Sequence, residues 1–155
     1  SHAKGAFLGL TFDTKQAEML RAMEEGAAFA LMDNLNEARR SGAVIDTLRA
    51  VGGSVHSDIW MRIKASVTGM PIEVPMSSLG APGGLLAILG YRLGEYASIQ
   101  EAVDATLRIE RVVEPVPAWV PWYKEQFQMF KQYYRQLKGA FEQADSIKES
   151  NRARS

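Results

Sequence analysis

The order of the apolar segments constrains the fold more than any other feature of the chain. Short apolar runs at residues 6–12, 43–51 and 71–75 are typical of buried strands, and each precedes a segment with helical spacing of its apolar residues. Strands that alternate with helices build a sheet covered by crossover helices. The sequence therefore predicts an α/β fold with a small sheet, because only three strands stand out. An open face or edge of that sheet suggests part of a larger protein.

Capping residues and periodicity predict where the first helices lie. Asp13 and Gln16 form a capping-box pattern at the start of a long first helix. Its predicted inner face consists of Leu20, Met23, Ala27, Ala30, Leu31, Leu35 and Ala38. Gly26, in mid-helix, costs about 1 kcal/mol relative to alanine, so we expect a neighbouring backbone to approach it closely. Ser57 is the predicted cap of the second helix, whose inner face is Ile59, Ile63 and Val67.

The second half of the chain is predicted to be mainly helical. Prolines at both ends of the 71–75 strand favour an edge or strand-end position. Residues 80–84 read as a glycine-rich turn in which Pro82 opens a third helix. Ser98 with Glu101 predicts a fourth helix by the capping-box pattern.

A long aromatic helix is predicted at the end, after an extended segment at 109–113 and a proline-rich connector. Apolar residues recur there at spacings of three and four, namely Tyr123, Phe127, Phe130, Tyr134, Leu137 and Phe141. This spacing predicts one apolar seam that packs in a core rather than stacking on nucleic-acid bases.

Charge and residue content exclude several kinds of site. Eighteen Lys and Arg balance eighteen Asp and Glu, which argues against binding to nucleic acid or to an anionic membrane surface. Cysteine is absent, which excludes disulfides, thiolate metal sites and a cysteine nucleophile, and fits a cytoplasmic location. His2 and His56 are the only histidines, too few for a three-histidine zinc site. No apolar stretch reaches the roughly 20 residues that span a bilayer, so we expect no membrane partner.

The segment most informative for function runs from the second predicted strand into the second helix. Gly52 and Gly53 follow the strand and precede a helix N-terminus, where free backbone N–H groups can bind a ligand. In open α/β sheets, ligands lie beyond the carboxyl ends of the strands. The pattern is neither a P-loop nor GxGxxG, so spacing alone favours a tight turn without a ligand. The glycines at 80–84 also precede a helix, and both segments can reach the same end of the sheet.

Other candidate residues are interpreted as structural or solvent-exposed. His56 is taken as an exposed polar side chain, because no second histidine accompanies it in the loop. Trp60 is taken as a core or docking residue. Glu24 and Glu25 are neighbours on a helix and point about 100° apart, so we interpret them as a solvated face rather than a catalytic pair.

Several segments, in order along the chain, resemble the C-terminal signature of the FGGY carbohydrate kinases. They are residues 5–10, 18–26, 28–31, 34–35, 52–60, 70–75 and 83–84, together with the closing aromatic helix. Residues 52–60 read Gly-Gly-Ser-Val-His-Ser-Asp-Ile-Trp, which resembles the family's adenosine motif, commonly Gly-Gly-Gly-Ala-x-Ser-x-x-Trp. The ordered match along the chain is more specific than any one motif.

The resemblance implies a partial actin-like ATPase (ribonuclease H-like) domain. Residues 5–145 would form the C-terminal, nucleotide-side domain, truncated at its N-terminal side, with 146–155 as a polar tail. Residues 1–4 would be the remnant of an expression tag and the start of a fragment. In this family ATP binds between two domains and, with Mg²⁺, passes its γ-phosphoryl to a hydroxyl of a sugar or polyol, here a pentulose or polyol. The catalytic groups would lie in the other domain, so we expect no catalytic residue or metal ligand in this chain, and no activity from it alone.

Carried onto this sequence, the motif assigns adenosine contacts to Gly52, Gly53, Ser54 and Val55, and a hydrogen bond to the nucleotide from Ser57. Ser54 and Val55 stand where the family usually has Gly and Ala, so their added volume is expected to affect ATP affinity. The alternative is a catalytically degenerate actin-like domain that regulates or binds partners. The implied ligands are ATP or ADP and, through the other domain, a sugar or polyol, and a homo-oligomer is left open.

Overall fold

The computed structural model describes residues 4–76 and 80–152. The elements in chain order are α1 (Gln16–Arg40), β1 (Leu48–Arg49), a 3₁₀ helix (Gly53–His56), α2 (Asp58–Thr68), β2 (Ile72–Pro75), α3 (Gly80–Arg92), α4 (Ile99–Thr106), β3 (Ile109–Val113) and α5 (Val120–Arg152). The predicted α/β character and the long C-terminal helix are therefore confirmed.

The three strands form one sheet in the order β1-β2-β3. β1 runs parallel to β2, with Leu48 opposite Ile72, and β3 runs antiparallel to β2, with Val113 opposite Ile72. The strand predicted at 71–75 is thus central, and its predicted edge position is wrong. The strand-end alternative holds, because the pairing shifts between Val74 and Pro75, where a residue without an N–H group is tolerated.

Residues 6–12 do not form the predicted strand. A strand is stable only when a neighbour pairs with its N–H and C=O groups, and no strand of the described residues lies beside this segment. Phe7, Leu8 and Phe12 are exposed as a result. The third strand of the sheet is instead β3, at the residues predicted to be extended, and the 43–51 strand is reduced to Leu48–Arg49.

The first helix starts later than predicted and buries a different face. Thr11 and Thr14 form a turn ahead of it, so Lys15 rather than Asp13 occupies the cap position, and the Lys15 N–H donates to the Glu18 carboxylate at 2.8 Å. The buried residues of α1 are Ala28, Phe29 and Leu35, whereas Leu20, Met23, Ala27 and Ala30 are exposed. The predicted face is therefore wrong for these four residues, because α2 and α5 pack against the face that carries Ala28 and Phe29.

Two glycine predictions are also corrected. A Cβ added at Gly26 would meet no atom within 4 Å, so no neighbouring backbone approaches it. Gly83 and Gly84 lie inside the first turns of α3 and not in a turn before it. In contrast, Gly69 ends α2 in a left-handed conformation as predicted, and the Ser98 hydroxyl accepts from the Glu101 N–H at the start of α4.

The side chains pack in two clusters on either side of α2. One joins α1, α2 and α5 through Ala28, Phe29, Ile63, Val67, Tyr123 and Phe127. The other joins α2 to the sheet and the 3₁₀ helix through Val55, Met61, Ala65, Ile72 and Val74. The predicted aromatic seam is buried at Tyr123 and Phe127, and Phe130 packs against it, but Tyr134 is exposed. Ile59, predicted to face inward on α2, is also exposed, unlike Ile63 and Val67.

Candidate functional site

The chain leaves β1 through an exposed glycine turn, defined here as residues 52–57. Gly52 has φ +88° and ψ −173°, a conformation that side-chain-bearing residues rarely adopt, and it starts the 3₁₀ helix Gly53–His56. Ser57 then caps α2, because its Oγ accepts from the Trp60 N–H at 3.3 Å. Gly52 and Gly53 are exposed, and a Cβ on either would meet nothing within 4 Å. The backbone of the turn is therefore open to a ligand.

The side chain of Val55, in contrast, lies in the core. Its side chain is 7% exposed and packs with Met61, Ile72 and Val74 in the second cluster. Its N–H donates to the Gly52 carbonyl at 3.2 Å, and its carbonyl accepts from Arg111. The expectation that Val55 adds volume beside a bound purine is wrong, because this volume lies in the core.

Ser54 is held by a lysine from the following helix. Lys64 Nζ donates to Ser54 Oγ at 2.9 Å and lies 4.2 Å from the centre of the Trp60 ring. Burial lowers the pKa of Lys64, and the nearby Glu24 carboxylate opposes that shift. Trp60 in turn donates its Nε1–H to the Glu24 carbonyl at 3.3 Å, which ties the arrangement to α1. This contact agrees with the interpretation of Trp60 as a docking residue.

An arginine from β3 contacts the end of the turn. Arg111 donates to the carbonyl of Val55 and forms an ion pair with Asp58, the first residue of α2. The hydrogen bond and charge of Arg111 lower the pKa of Asp58. Arg111 is more than 50 residues away from both partners in sequence, so no local pattern marks this contact.

A cavity of about 210 Å³ adjoins the turn at the carboxyl ends of β1 and β2. Its lining combines strand ends with α3, α4 and the residues before β3, namely Arg49, Val51, Pro75, Met76, Gly83, Gly84, Ala87, Val103, Leu107 and Arg108. The prediction that the two glycine segments reach the same end of the sheet is confirmed, because Val51 precedes Gly52 and shares the cavity with Gly83 and Gly84. Complete ligand pockets have volumes of roughly 300–1,000 Å³, so this cavity suits one apolar ring better than a whole nucleotide.

The remaining candidates divide between solvent and structure. His56 is exposed, as predicted. Glu25 does not belong to a solvated face: its side chain is 14% exposed, receives the Tyr123 O–H at 2.9 Å and pairs with Arg21 at 2.8 Å. Within the described ranges, no three His, Cys, Asp or Glu side chains are grouped closely enough to hold a metal ion.

Sequence reasoning found the turn but missed the side chains around it. Arg49 reaches the cavity from β1, Arg108 from the residue before β3, and Arg111 reaches the turn from β3 itself. Only Lys64 carries a local signal, because it lies four residues after Trp60 and therefore on the same face of α2.

Comparison with known proteins relates this arrangement to a family. The model of the C-terminal domain of the FGGY family of carbohydrate kinases matches residues 1–91, which include β1, the glycine turn, α2 and β2. The chain belongs to the FGGY family. The resemblance stated from the sequence is confirmed.

Named relatives show how much of a longer FGGY protein this chain corresponds to. A xylulose kinase of Staphylococcus epidermidis is 25% identical over 87% of this chain, and an L-xylulose/3-keto-L-gulonate kinase of Escherichia coli is 31% identical over 86%, each match covering 27% of the relative. The crystal structure of xylulose kinase from Rhodospirillum rubrum superposes with a TM-score of 0.80 at 25% identity, over 90% of this chain and 28% of that one. The predicted actin-like fold is thereby confirmed, and the FGGY chain spans about a quarter of the length of these relatives. None of the helices in the described ranges has both the length and the apolarity to cross a membrane.

Proposed function

We propose that this FGGY domain binds the adenosine part of ATP or ADP at the glycine turn and the adjoining cavity. The observation that carries the proposal is the exposed Gly52–Gly53 backbone, which lies at the carboxyl end of a parallel strand and has open space on its ligand side. A flat purine can approach such a backbone more closely than any surface that bears side chains. The same place is where nucleotides bind in other open α/β sheets.

The lining of the site supports this choice of ligand. Val51, Gly83, Gly84 and Ala87 give the cavity an apolar wall for a ring. Two cations, Arg49 and Arg108, also line the cavity and would favour an anionic ligand. Arg49 is paired with Glu73 at 2.8 Å, so Arg108 is the cation better placed to respond to phosphate.

Ser57 can add a directed hydrogen bond. Its oxygen already accepts the Trp60 N–H, which leaves the hydroxyl proton available for an acceptor on the nucleotide. Gly52, Gly53, Ser54 and Ser57 thus remain the proposed contacts, and Val55 contributes through its main chain and its packing. Mg²⁺ would be held by the phosphates and by groups outside this chain, since the described residues bring no carboxylate cluster together.

The parent protein is proposed to transfer the γ-phosphoryl of ATP to a hydroxyl of a sugar or polyol. The names of the relatives support a pentulose or a related sugar, because several of them are xylulose kinases. The base and the sugar contacts would come from the rest of that protein, so this chain alone is expected to be inactive. We also expect the parent protein to be cytoplasmic and to bind no nucleic acid.

The alternative of a degenerate, partner-binding domain has lost part of its support. It depended on the volume of Ser54 and Val55 beside the purine. Val55 is a core residue and Ser54 is bonded to Lys64, so neither side chain of itself blocks the open face of Gly52 and Gly53.

A substitution at Gly53 tests the proposed site. Gly53 has no unfavourable φ and open space at its Cβ, so Gly53→Leu is expected to fold but to occupy the purine position. Gly139→Leu is the matched control, because Gly139 also has open space and lies on α5. Titration of the full-length protein with ADP should show at least a roughly tenfold weaker affinity for the Gly53 variant only. Equal affinities for the wild type and both variants would place the nucleotide elsewhere.

A further inference from the structure

The glycine turn has few bonds of its own, although its shape determines which backbone groups face a ligand. Inside the turn, the Val55 N–H bonds to the Gly52 carbonyl and the Ser57 N–H bonds to the Ser54 carbonyl, both at 3.2 Å. Two glycines in sequence have wide conformational freedom. Contacts from outside the turn are therefore needed to keep it in one conformation.

Two cationic side chains from different elements supply such contacts. Arg111 of β3 holds the end of the turn, because its guanidinium donates to the Val55 carbonyl and also pairs with the carboxylate of Asp58. A guanidinium has several donors in a fixed plane and can hold two acceptors at a set separation. The β3 strand is itself paired with β2 over Ile72 to Pro75. The contact from Arg111 therefore fixes the position of the turn relative to the sheet.

Lys64 of α2 holds the middle of the turn. Its ammonium bonds to Ser54 Oγ at 2.9 Å and lies over the Trp60 ring, which restricts the path of the long side chain. Trp60 is fixed in turn by its bond to the Glu24 carbonyl of α1. The turn is therefore connected to the sheet through Arg111 and to two helices through Lys64.

We propose that Arg111 and Lys64 are positioning residues that pre-organise the glycine turn for nucleotide binding. The inference rests on the proposed function, because it assumes that the turn binds the nucleotide. A turn held in one conformation before binding loses less conformational entropy when the ligand arrives, so the affinity is higher. Neither residue needs to contact the nucleotide for this effect.

The first test measures the turn itself, without any nucleotide. Amide hydrogen exchange of Val55 and Ser57, whose N–H groups form the two hydrogen bonds inside the turn, is followed in wild-type protein and in Arg111→Met and Lys64→Met. We expect exchange at these two amides to become about tenfold faster in each variant, while amides of α5 stay unchanged. Unchanged exchange at the turn would overturn the inference, whatever the fate of the proposed function.

The second test measures nucleotide binding in the full-length protein. We expect Arg111→Met and Lys64→Met each to raise the KM for ATP about tenfold, with kcat at saturating ATP and the KM for the sugar within about twofold of wild type. Arg111→Lys keeps the charge but can bond to only one acceptor, so it should recover part of the affinity. Asp58→Asn weakens the ion pair with Arg111 without removing the arginine. This variant replaces Arg111→Met in the test if Arg111→Met fails to fold.

Arg62→Met is the matched control. Arg62 is exposed on α2 and its charge acts on Asp58, but it makes no bond to the turn. The KM of the Arg62→Met variant for ATP should equal that of wild type. If wild-type protein does not bind nucleotide, the proposed function fails. If wild type binds and the Arg111 and Lys64 variants lose thermal stability but keep the wild-type KM, both residues are merely structural and the inference is wrong.

Discussion

The substitution Val55→Ala distinguishes a core role for this side chain from a role beside a bound purine. The change installs alanine, the residue at this position of the adenosine motif that the sequence resembles. Val55 is 7% exposed and packs against Met61, Ile72 and Val74, which are themselves buried. Removing two buried methyl groups costs about 1.6 kcal/mol by transfer alone. Because these neighbours have little room to collapse, a residual cavity should raise the loss of unfolding free energy to about 2 kcal/mol.

The assay combines thermal unfolding with ADP titration. A loss of about 2 kcal/mol should lower the Tm of a chain of this size by about 4–8 °C. The ADP affinity of the full-length protein should stay within about twofold, because the valine side chain does not reach the ligand side of the turn. Val51→Ala is the matched control for stability: this valine lies four residues earlier, is 58% exposed and lines the cavity. Its Tm should hardly change, whereas its nucleotide affinity should fall.

The opposite pattern would refute the reasoning. If Val55→Ala tightens ADP binding and leaves the Tm unchanged, the side chain faces the ligand and the core assignment is wrong. If Val51→Ala lowers the Tm as much as Val55→Ala does, the difference in exposure between the two valines does not distinguish a core residue from a surface residue. Either result would remove the structural basis for placing the nucleotide on the open side of the turn.

Three further predictions concern stability. Gly26→Ala should raise the unfolding free energy in urea by about 0.5–1 kcal/mol, because α1 gains helix propensity and the new Cβ meets no atom within 4 Å. Ser66→Ala should lower it by about 1–3 kcal/mol, because the hydroxyl of Ser66, 1% exposed, accepts from the Val116 N–H at 2.9 Å and the substitution leaves this donor unpaired. Burial above all raises the pKa of Tyr123 to about 12. An unfolded tyrosine titrates near pH ~10, so the folded state retains a proton that the unfolded state loses, and stability should decline from about pH 10 to 12. Urea unfolding at several pH values should show a smaller decline for Tyr123→Phe.

Each of these predictions has an outcome that would contradict it. A less stable Gly26→Ala would mean that something approaches this face of α1. A neutral Ser66→Ala would mean that the Val116 N–H finds another acceptor. A decline of equal steepness in wild type and Tyr123→Phe would mean that the phenol is not shielded in the folded state.

Most of the domain's local structure could be predicted from the sequence because its signals are local. The caps at Ser57 and Ser98, the stop at Gly69 and the spacing of Tyr123 and Phe127 lie within a few residues of the features that they determine. The resemblance to FGGY kinases is of the same kind, because it depends on residue identity in short ordered segments. The glycine turn was found for this reason.

Errors arose wherever a distant part of the chain decides the outcome. Residues 6–12 have the composition of a strand, but strand formation requires a paired neighbour, and the described residues place none there. The exposed Leu20 and Met23 show that an apolar stripe predicts burial only where another element packs on it. The Glu25 carboxylate was predicted to be solvated, but α5 places the Tyr123 hydroxyl beside it.

The sequence by itself determined the helices, the open glycine turn and the family, since each depends on residues that are close together along the chain. Only the tertiary structure decided which way Val55 points, which strand became central, and which cations hold the turn. Arg111 is more than 50 residues away from the carbonyl that it binds, and such a contact exists only after β3 pairs with β2. The physical reason is that backbone geometry and capping act locally, whereas burial and ion pairing depend on which elements fold against each other.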